Sequence, residues 1–268
     1  MKLKLDLLRA LYCIVLGNVL ALSGAHADTL KVAVASNALK AVTELGEKFT
    51  SQSGHQVLLS SGSTSKLYTQ ILHGAPFDVF LAANEHEAAE LEGKGLILPG
   101  TRVTYAIGQL ALYSRTPGRF AQDGASYLRA QQFARLAIAN PQTAPYGNAA
   151  REVLQALQLW ESVQTKLVRG ENIGQVFHYS YTGNVDAGIV AWSDVLQKVE
   201  PDNASVWLIP QALYTPLRQQ AVILKRTTQP AVAKQFLDFV RNRDGVALLT
   251  EKYGYSMEQR VATRLPGH

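Results

Sequence analysis

The chain has one cysteine, Cys13, and two methionines in 268 residues. A single thiol excludes a disulfide framework within the chain and any multi-cysteine zinc or iron–sulfur centre. Charge is sparse as well: 18% of residues are charged, and 26 Lys and Arg against 21 Asp and Glu leave a net +5. An excess of this size attracts anions in general, but unclustered basic residues do not make a nucleic-acid surface, and no nucleic-acid partner is expected. The six histidines (His26, His55, His73, His86, His178 and His268) are scattered, and no His-Glu-x-x-His occurs, so a helical metal pair is absent. No Gly-x-Ser-x-Gly elbow is present. Ser61-Gly62-Ser63-Thr64-Ser65-Lys66 lacks the second glycine of a nucleotide-binding phosphate loop. What remains is a chain with 47% hydrophobic residues and a mean hydropathy of -0.02, long enough to bury the core of one large domain or two small lobes.

The N-terminus reads Met-Lys-Leu-Lys, then a mostly apolar stretch over residues 7–22, then Ser23-Gly24-Ala25-His26-Ala27. A basic start, an apolar middle and an Ala-x-Ala end describe a cleavable export signal over residues 1–27. Asp6, Arg9 and Asn18 interrupt the stretch and leave it short of a spanning helix. Tyr12 before Cys13 is too bulky for lipoprotein processing. Removal of residues 1–27 takes away Lys2, Lys4, Arg9 and Asp6, lowering the net charge from +5 to +3, and removes the one thiol. The mature chain is expected in the periplasm.

Beyond residue 28 the pattern alternates. Short β-rich runs at 30–35, 57–59 and 77–82 are each followed by helical apolar spacing, at 38–49, 66–72 and 85–94. Glu85, Glu87, Glu90 and Glu92 suit a solvated helix face. A further strand-like run covers 107–114. The alternation restarts with strands at 136–139, 166–168 and 188–191 and helices at 148–157 and 173–181, and 219–225 is another strand. Residues 230–241 and 244–253 read as a closing helix pair. Successive strand–helix units predict α/β lobes with mostly parallel sheets flanked by helices. The crossings are placed near Ser114 and Leu217, giving one lobe from 28–114 plus 218–268 and a second from 115–217. Trp160, Trp192 and Trp207 lie in apolar stretches and are expected to pack, while Tyr179 and Tyr181 are expected to be packing or surface residues.

Three turns join a strand to a helix N-terminus through small hydroxyl or amide residues: Ser36-Asn37, residues 60–65, and residues 140–148. Helix N-termini carry unpaired N–H donors and a partial positive charge, so they hold anions without cationic side chains. Ligands in open α/β sheets collect at the same strand ends. For any one turn, N-capping is the commoner use of such residues. Three turns across two lobes point to one shared anion site. No Asp or Glu stands in any of them. That suits a fully deprotonated oxyanion such as molybdate, tungstate or sulfate, whereas hydrogen phosphate carries a proton that needs an acceptor.

Five stretches taken in order carry a resemblance over almost the whole mature chain. They are Val-Ala-Val-Ala-Ser-Asn over 32–37, Ser-Ser-Gly-Ser-Thr-Ser-Lys over 60–66, His-Gly-Ala-Pro-Phe-Asp-Val-Phe over 73–80, Asn-Pro-Gln-Thr-Ala-Pro-Tyr-Gly over 140–147 and Glu-Asn-Ile-Gly-Gln over 171–175. In these the chain resembles the periplasmic molybdate-binding proteins of molybdate ABC transporters, and is nearer to the branch with a Gly-Ser-Ser/Thr loop than to the enterobacterial one. The resemblance implies the two-lobed type II periplasmic-binding-protein fold, closing on a tetrahedral oxyanion held by neutral donors. Ser36 matches the first-turn hydroxyl, with Asn37 following. Thr64 falls where a serine is usual, and Ser63 is the neighbouring candidate. Tyr146 and Ile173 match positions whose backbone N–H groups bind the anion from the second lobe. The enterobacterial branch has a phenol donor after its Gly-Ile-Val strand. Ala191 stands there in this chain, and Asn37 is the substitute expected. The implied function is capture of molybdate, and of tungstate, for a membrane permease, by a monomer without cofactor or direct metal ligands. Sulfate, ferric iron and a serine-dependent hydrolase are the alternatives.

Overall fold

The computed structural model describes residues 27–120, 123–200 and 203–258. Cys13 and the export segment up to residue 26 lie outside them. The first lobe is built on a five-stranded sheet in the order β2-β1-β3-β10-β4, from β1 (Thr29–Ala35), β2 (Gln56–Gly62), β3 (Val79–Leu81), β4 (Val103–Gly108) and β10 (Leu217–Ile223). β1 runs parallel to β2 and β3, while β10 lies antiparallel between β3 and β4, so four strands point one way and β10 is reversed. Strand alternation sorts the side chains to two covered faces. Leu30, Val32, Val34, Val79, Leu81, Ala221 and Ile223 pack on one side against α1 (Leu39–Ser53) and α8 (Pro230–Arg241). Ala33, Phe80, Ala82, Val222 and Leu224 pack on the other against α2 (Thr64–Leu72) and α3 (His86–Gly93).

The second lobe repeats the plan in the order β7-β6-β8-β5-β9, from β5 (Leu110–Ser114), β6 (Leu136–Ala139), β7 (Leu167–Gly170), β8 (Ala187–Ala191) and β9 (Ser205–Leu208). β6 is parallel to β7 and β8, and β5 is the reversed strand between β8 and β9. Its helices are α4 (Gly124–Ala130), α5 (Pro145–Ala156), α6 (Ile173–Tyr181) and α7 (Trp192–Lys198). β5, β6 and β8 are buried along their whole length, which is why each reads as a nearly continuous apolar run, broken only at Ser114. Trp160, Trp192, Trp207 and Tyr179 pack half-buried against this core, and Tyr181 lies at the surface.

One lobe boundary differs from expectation. The run over 107–114 is two strands: β4 ends at Gly108 in the first sheet, and β5 begins at Leu110 in the second. The chain therefore crosses at Gln109, not near Ser114, and Leu110–Ser114 belongs to the second lobe. Periodicity marks a buried strand but carries no information about which sheet receives it. The return crossing lies between Leu208 and Leu217. Each reversed strand, β5 and β10, thus follows directly on a crossing.

Candidate functional site

The strand C-termini of the two sheets face one another across the cleft. β1 ends in a 3₁₀ turn at Ser36–Ala38, β2 runs into α2 through Ser63, β6 runs into α5, and β7 runs into α6. These four junctions meet in pairs. A Cβ on Gly174, in the first turn of α6, would stand 3.8 Å from the Ser36 Cβ. The Ser65 N–H, in the first turn of α2, donates to the Thr143 carbonyl at 3.2 Å. Ser36 therefore faces the start of α6, and residues 63–65 face the start of α5.

Each junction leaves donors uncommitted. Ser63 holds the N-cap position of α2 but makes no capping bond, and its buried Oγ has no partner. Thr64, 1% exposed, accepts from the Ala83 N–H at 3.1 Å through Oγ1, which orients the hydroxyl and leaves its one proton to donate. The Thr143 Oγ1 opposite is likewise buried and unpartnered. In α5 Pro145 occupies the first position, so the helix begins at 145, earlier than the 148 expected, and this puts the Tyr146 N–H in the first turn, where no intrahelical acceptor exists. The N–H groups of Gly147 and Asn148 both turn back to the Ala144 carbonyl. A Cβ at Gly147 would overlap the Ala139 carbonyl oxygen, so only glycine lets this turn lie against the end of β6. In α6 the Asn172 side chain accepts from the Gln175 N–H at 3.1 Å, which caps the helix and leaves the Ile173 N–H at its open end.

Asn37 behaves differently from expectation. Its Nδ2 donates to Gln219 Oε1 at 2.9 Å and to the Tyr255 hydroxyl at 3.1 Å, so both amide protons are spent inside the fold. The side-chain amide does not replace the phenol missing at Ala191. Glu87 also departs from the solvated face expected of its charge run: it is 6% exposed, accepts from Ser65 Oγ at 2.6 Å through Oε1, and its Oε2 is buried without a partner. Ser65 is the first-turn residue of α2 that faces α3, which draws Glu87 inward.

Two charged residues at the cleft escaped the sequence reading. Lys40 of α1 pairs with Asp194 of α7 across the lobes at 2.8 Å, and both line the cavity that contains Ser36, Ser61, Asn172 and Gly174. Burial pushes the Asp194 carboxyl up, and Lys40 only partly offsets this. Asp194 Oδ2 is buried without a partner. The only sequence signal for the pair is a strand-to-helix junction after β8 that carries an Asp, and its partner lies 154 positions away. Lys66 of α2 forms a second, exposed ion pair across the cleft with Glu171. Among the described residues, no cluster of three His, Cys, Asp or Glu could hold a metal ion.

Comparison with known proteins agrees with this architecture. Residues 30–256 match the family of bacterial extracellular solute-binding proteins. The chain is 40% identical over 239 residues to the molybdate-binding protein ModA of Rhodobacter capsulatus, covering 89% of this chain and 92% of the relative. It is 38% identical over 245 residues to ModA of Azotobacter vinelandii, covering 91% and 96%. The solved structure of the Azotobacter vinelandii periplasmic molybdate-binding protein superposes with a TM-score of 0.82 over 86% of this chain and all of that one, at 38% identity. The chain belongs to the bacterial extracellular solute-binding proteins, and within them to the ModA-like molybdate-binding family.

Proposed function

We propose that this protein captures molybdate, and also tungstate, between its lobes and delivers it to the permease of an ABC importer, working as a monomer in the periplasm. What supports the reading is that four strand-to-helix junctions face one another in two pairs across the lobes and that the groups they offer are donors: the hydroxyls of Ser36, Ser63 and Thr64, and the N–H groups of Tyr146 and Ile173. A tetrahedral dianion accepts from all of them at once, and the open ends of α2, α5 and α6 add their partial positive charge. The anion replaces a cofactor or metal centre here, and the protein contacts it through oxygen only. We read the chain as a receptor and not as an enzyme. Ser65 is the one serine of these turns with a carboxylate partner, and among the described residues no third group orients Glu87 as a base. Among the described residues, no helix is long and apolar enough to cross a membrane.

A second reading rests on one observation. Asp194 lines the cavity that contains Ser36, and its buried, unpartnered Oδ2 is an acceptor that the proton of hydrogen phosphate would satisfy. Thermal unfolding of the purified protein with molybdate, tungstate, sulfate, phosphate and ferric citrate separates the candidates. At about a thousandfold excess over its dissociation constant a ligand adds about 4 kcal/mol of stability. Molybdate and tungstate are expected to raise the melting temperature strongly, and sulfate and phosphate weakly. Stabilisation by phosphate alone would transfer the site to a protonated oxyanion, and turnover of a chromogenic ester or phosphate would contradict the receptor reading.

A further inference from the structure

Behind the anion-facing turns lies a buried set of polar side chains that touch each other rather than the cleft. At its centre is Gln219 of β10, fully buried, at a point where the pairing with β4 shifts register between Gln219 and Gln220. A bulge of this kind re-aims a side chain. Gln219 Oε1 accepts from Asn37 Nδ2 at 2.9 Å and from the Tyr105 hydroxyl at 2.8 Å, while Nε2 donates to the Tyr146 hydroxyl at 3.1 Å. The Tyr255 hydroxyl donates to the Asn37 carbonyl at 2.9 Å, and Ser193 Oγ donates to the same oxygen at 3.2 Å. Asn37, Tyr105, Gln219 and Tyr255 belong to the first lobe, whereas Tyr146 and Ser193 belong to the second. Burial holds the Tyr105, Tyr146 and Tyr255 hydroxyls protonated, with Tyr255 pushed up to about 12, so they remain neutral hydrogen-bonding groups throughout the working pH range.

Buried polar groups cost free energy unless they are paired, so such a set tolerates one relative placement of its members. The residues it joins are neighbours of anion donors. Asn37 follows Ser36 in the first turn, and Tyr146 carries at one end the hydroxyl held by Gln219 and at the other the first-turn N–H of α5. The backbone adds a second constraint: a Cβ at Gly108, where the chain leaves the first sheet, would overlap the Tyr146 hydroxyl and lie 2.6 Å from Gln219 Nε2. The crossing strand therefore passes directly over the bond between the lobes.

We infer that Gln219 is a positioning residue: its side-chain amide locks the Ser36–Asn37 turn of one lobe against the first turn of α5 in the other, at the separation at which both reach one anion. The inference rests on the oxyanion-receptor reading above. Because the Gln219–Tyr146 bond joins groups on separate lobes, it acts on the closed state and so on release. Tyr146→Phe removes one end of it, keeping the ring and the backbone N–H, and Gln219→Met removes the other. Stopped-flow binding of sodium molybdate to the purified protein, with calorimetry alongside, tests this. Tyr146→Phe is expected to release molybdate about threefold to tenfold faster with an unchanged association rate, the range that one buried hydrogen bond supplies, and Gln219→Met, which loses three, to release it at least as fast. For Tyr146→Phe the melting temperature of the anion-free protein should also be unchanged. The double variant should be no worse than Gln219→Met alone, since the one bond that Tyr146→Phe cuts is already among the three lost with Gln219. A merely structural lesion would instead lower the association rate and the anion-free melting temperature. Wild-type release from Tyr146→Phe, or independent multiplying effects in the double variant, would overturn the inference. If Gln219→Met does not fold, Tyr146→Phe decides by itself. Failure of the unaltered protein to bind molybdate would overturn the functional reading and this inference with it, whereas binding with unchanged variant kinetics overturns this inference alone.

Discussion

Ser36, Ser63 and Thr64 are small, uncharged and within two residues of a strand end, and their chemistry depends on what each hydroxyl has left to give. Thr64 accepts from the Ala83 N–H and keeps its proton, while Ser63 lies buried with no partner at all. A hydrogen bond to a charged group contributes roughly 1.5–3 kcal/mol, so Ser36→Ala or Thr64→Ala is expected to weaken molybdate binding at least tenfold in calorimetry. Unchanged affinity in both would remove these hydroxyls from the site. At this scale the strand-to-helix turns that carry these hydroxyls were legible, because small polar residues cluster where a strand gives way to a helix. The partners of Asn37 were not legible. Its amide looked free because Gln219 and Tyr255 lie 182 and 218 positions away, and nothing local to Asn37 signals either.

Among the elements, the parallel strands and the helices that follow them set the donors, and their fit depends on how each strand is tied at its start. Asp186, at the head of β8, accepts from the N–H groups of Ala134 and Arg135 at 2.8 and 2.9 Å and from Arg119 Nη1 at 3.1 Å, joining the entries of β6 and β8. Burial opposes the charge of this carboxylate, but the two N–H groups and Arg119 outweigh it and hold its pKa below the ordinary value. A depressed carboxylate pKa stabilises the fold above its unfolded value, and that contribution is lost as pH falls through the folded one. Asp186→Asn is therefore expected to lower the melting temperature by a few degrees at neutral pH, and the difference from the unaltered protein should shrink as acid titrates the carboxylate. A difference that stays constant down to strongly acid pH would assign the effect to packing. The strands themselves were readable from their apolar runs, and the start of α5 was missed by three positions because Pro145 reads as a breaker as readily as a first helical residue.

For the whole molecule, the decisive feature is that two lobes with separate sheets meet across a cleft, through Lys40–Asp194, Lys66–Glu171, Ser65–Thr143 and the Gln219 set. Gly108 sits where the backbone crosses over that set, so Gly108→Ala is expected to hold the lobes apart. Small-angle scattering should then show an unchanged radius of gyration on adding molybdate where the unaltered protein contracts, together with weakened binding. Contraction of the variant to the same radius would show that the added methyl is accommodated by local shifts. The amino-acid sequence determined by itself what short-range pattern can encode: the alternation of strands and helices, the α/β class, the donor-bearing turns, and a composition with no cysteine framework or metal cluster to offer. It did not determine where the chain changes sheets, which way the Asn37 amide faces, or that Asp194, Glu87 and Gln219 are buried. Those depend on contacts between residues more than a hundred positions apart or on which side of a helix meets another element, and only the packing of two lobes against each other decides them.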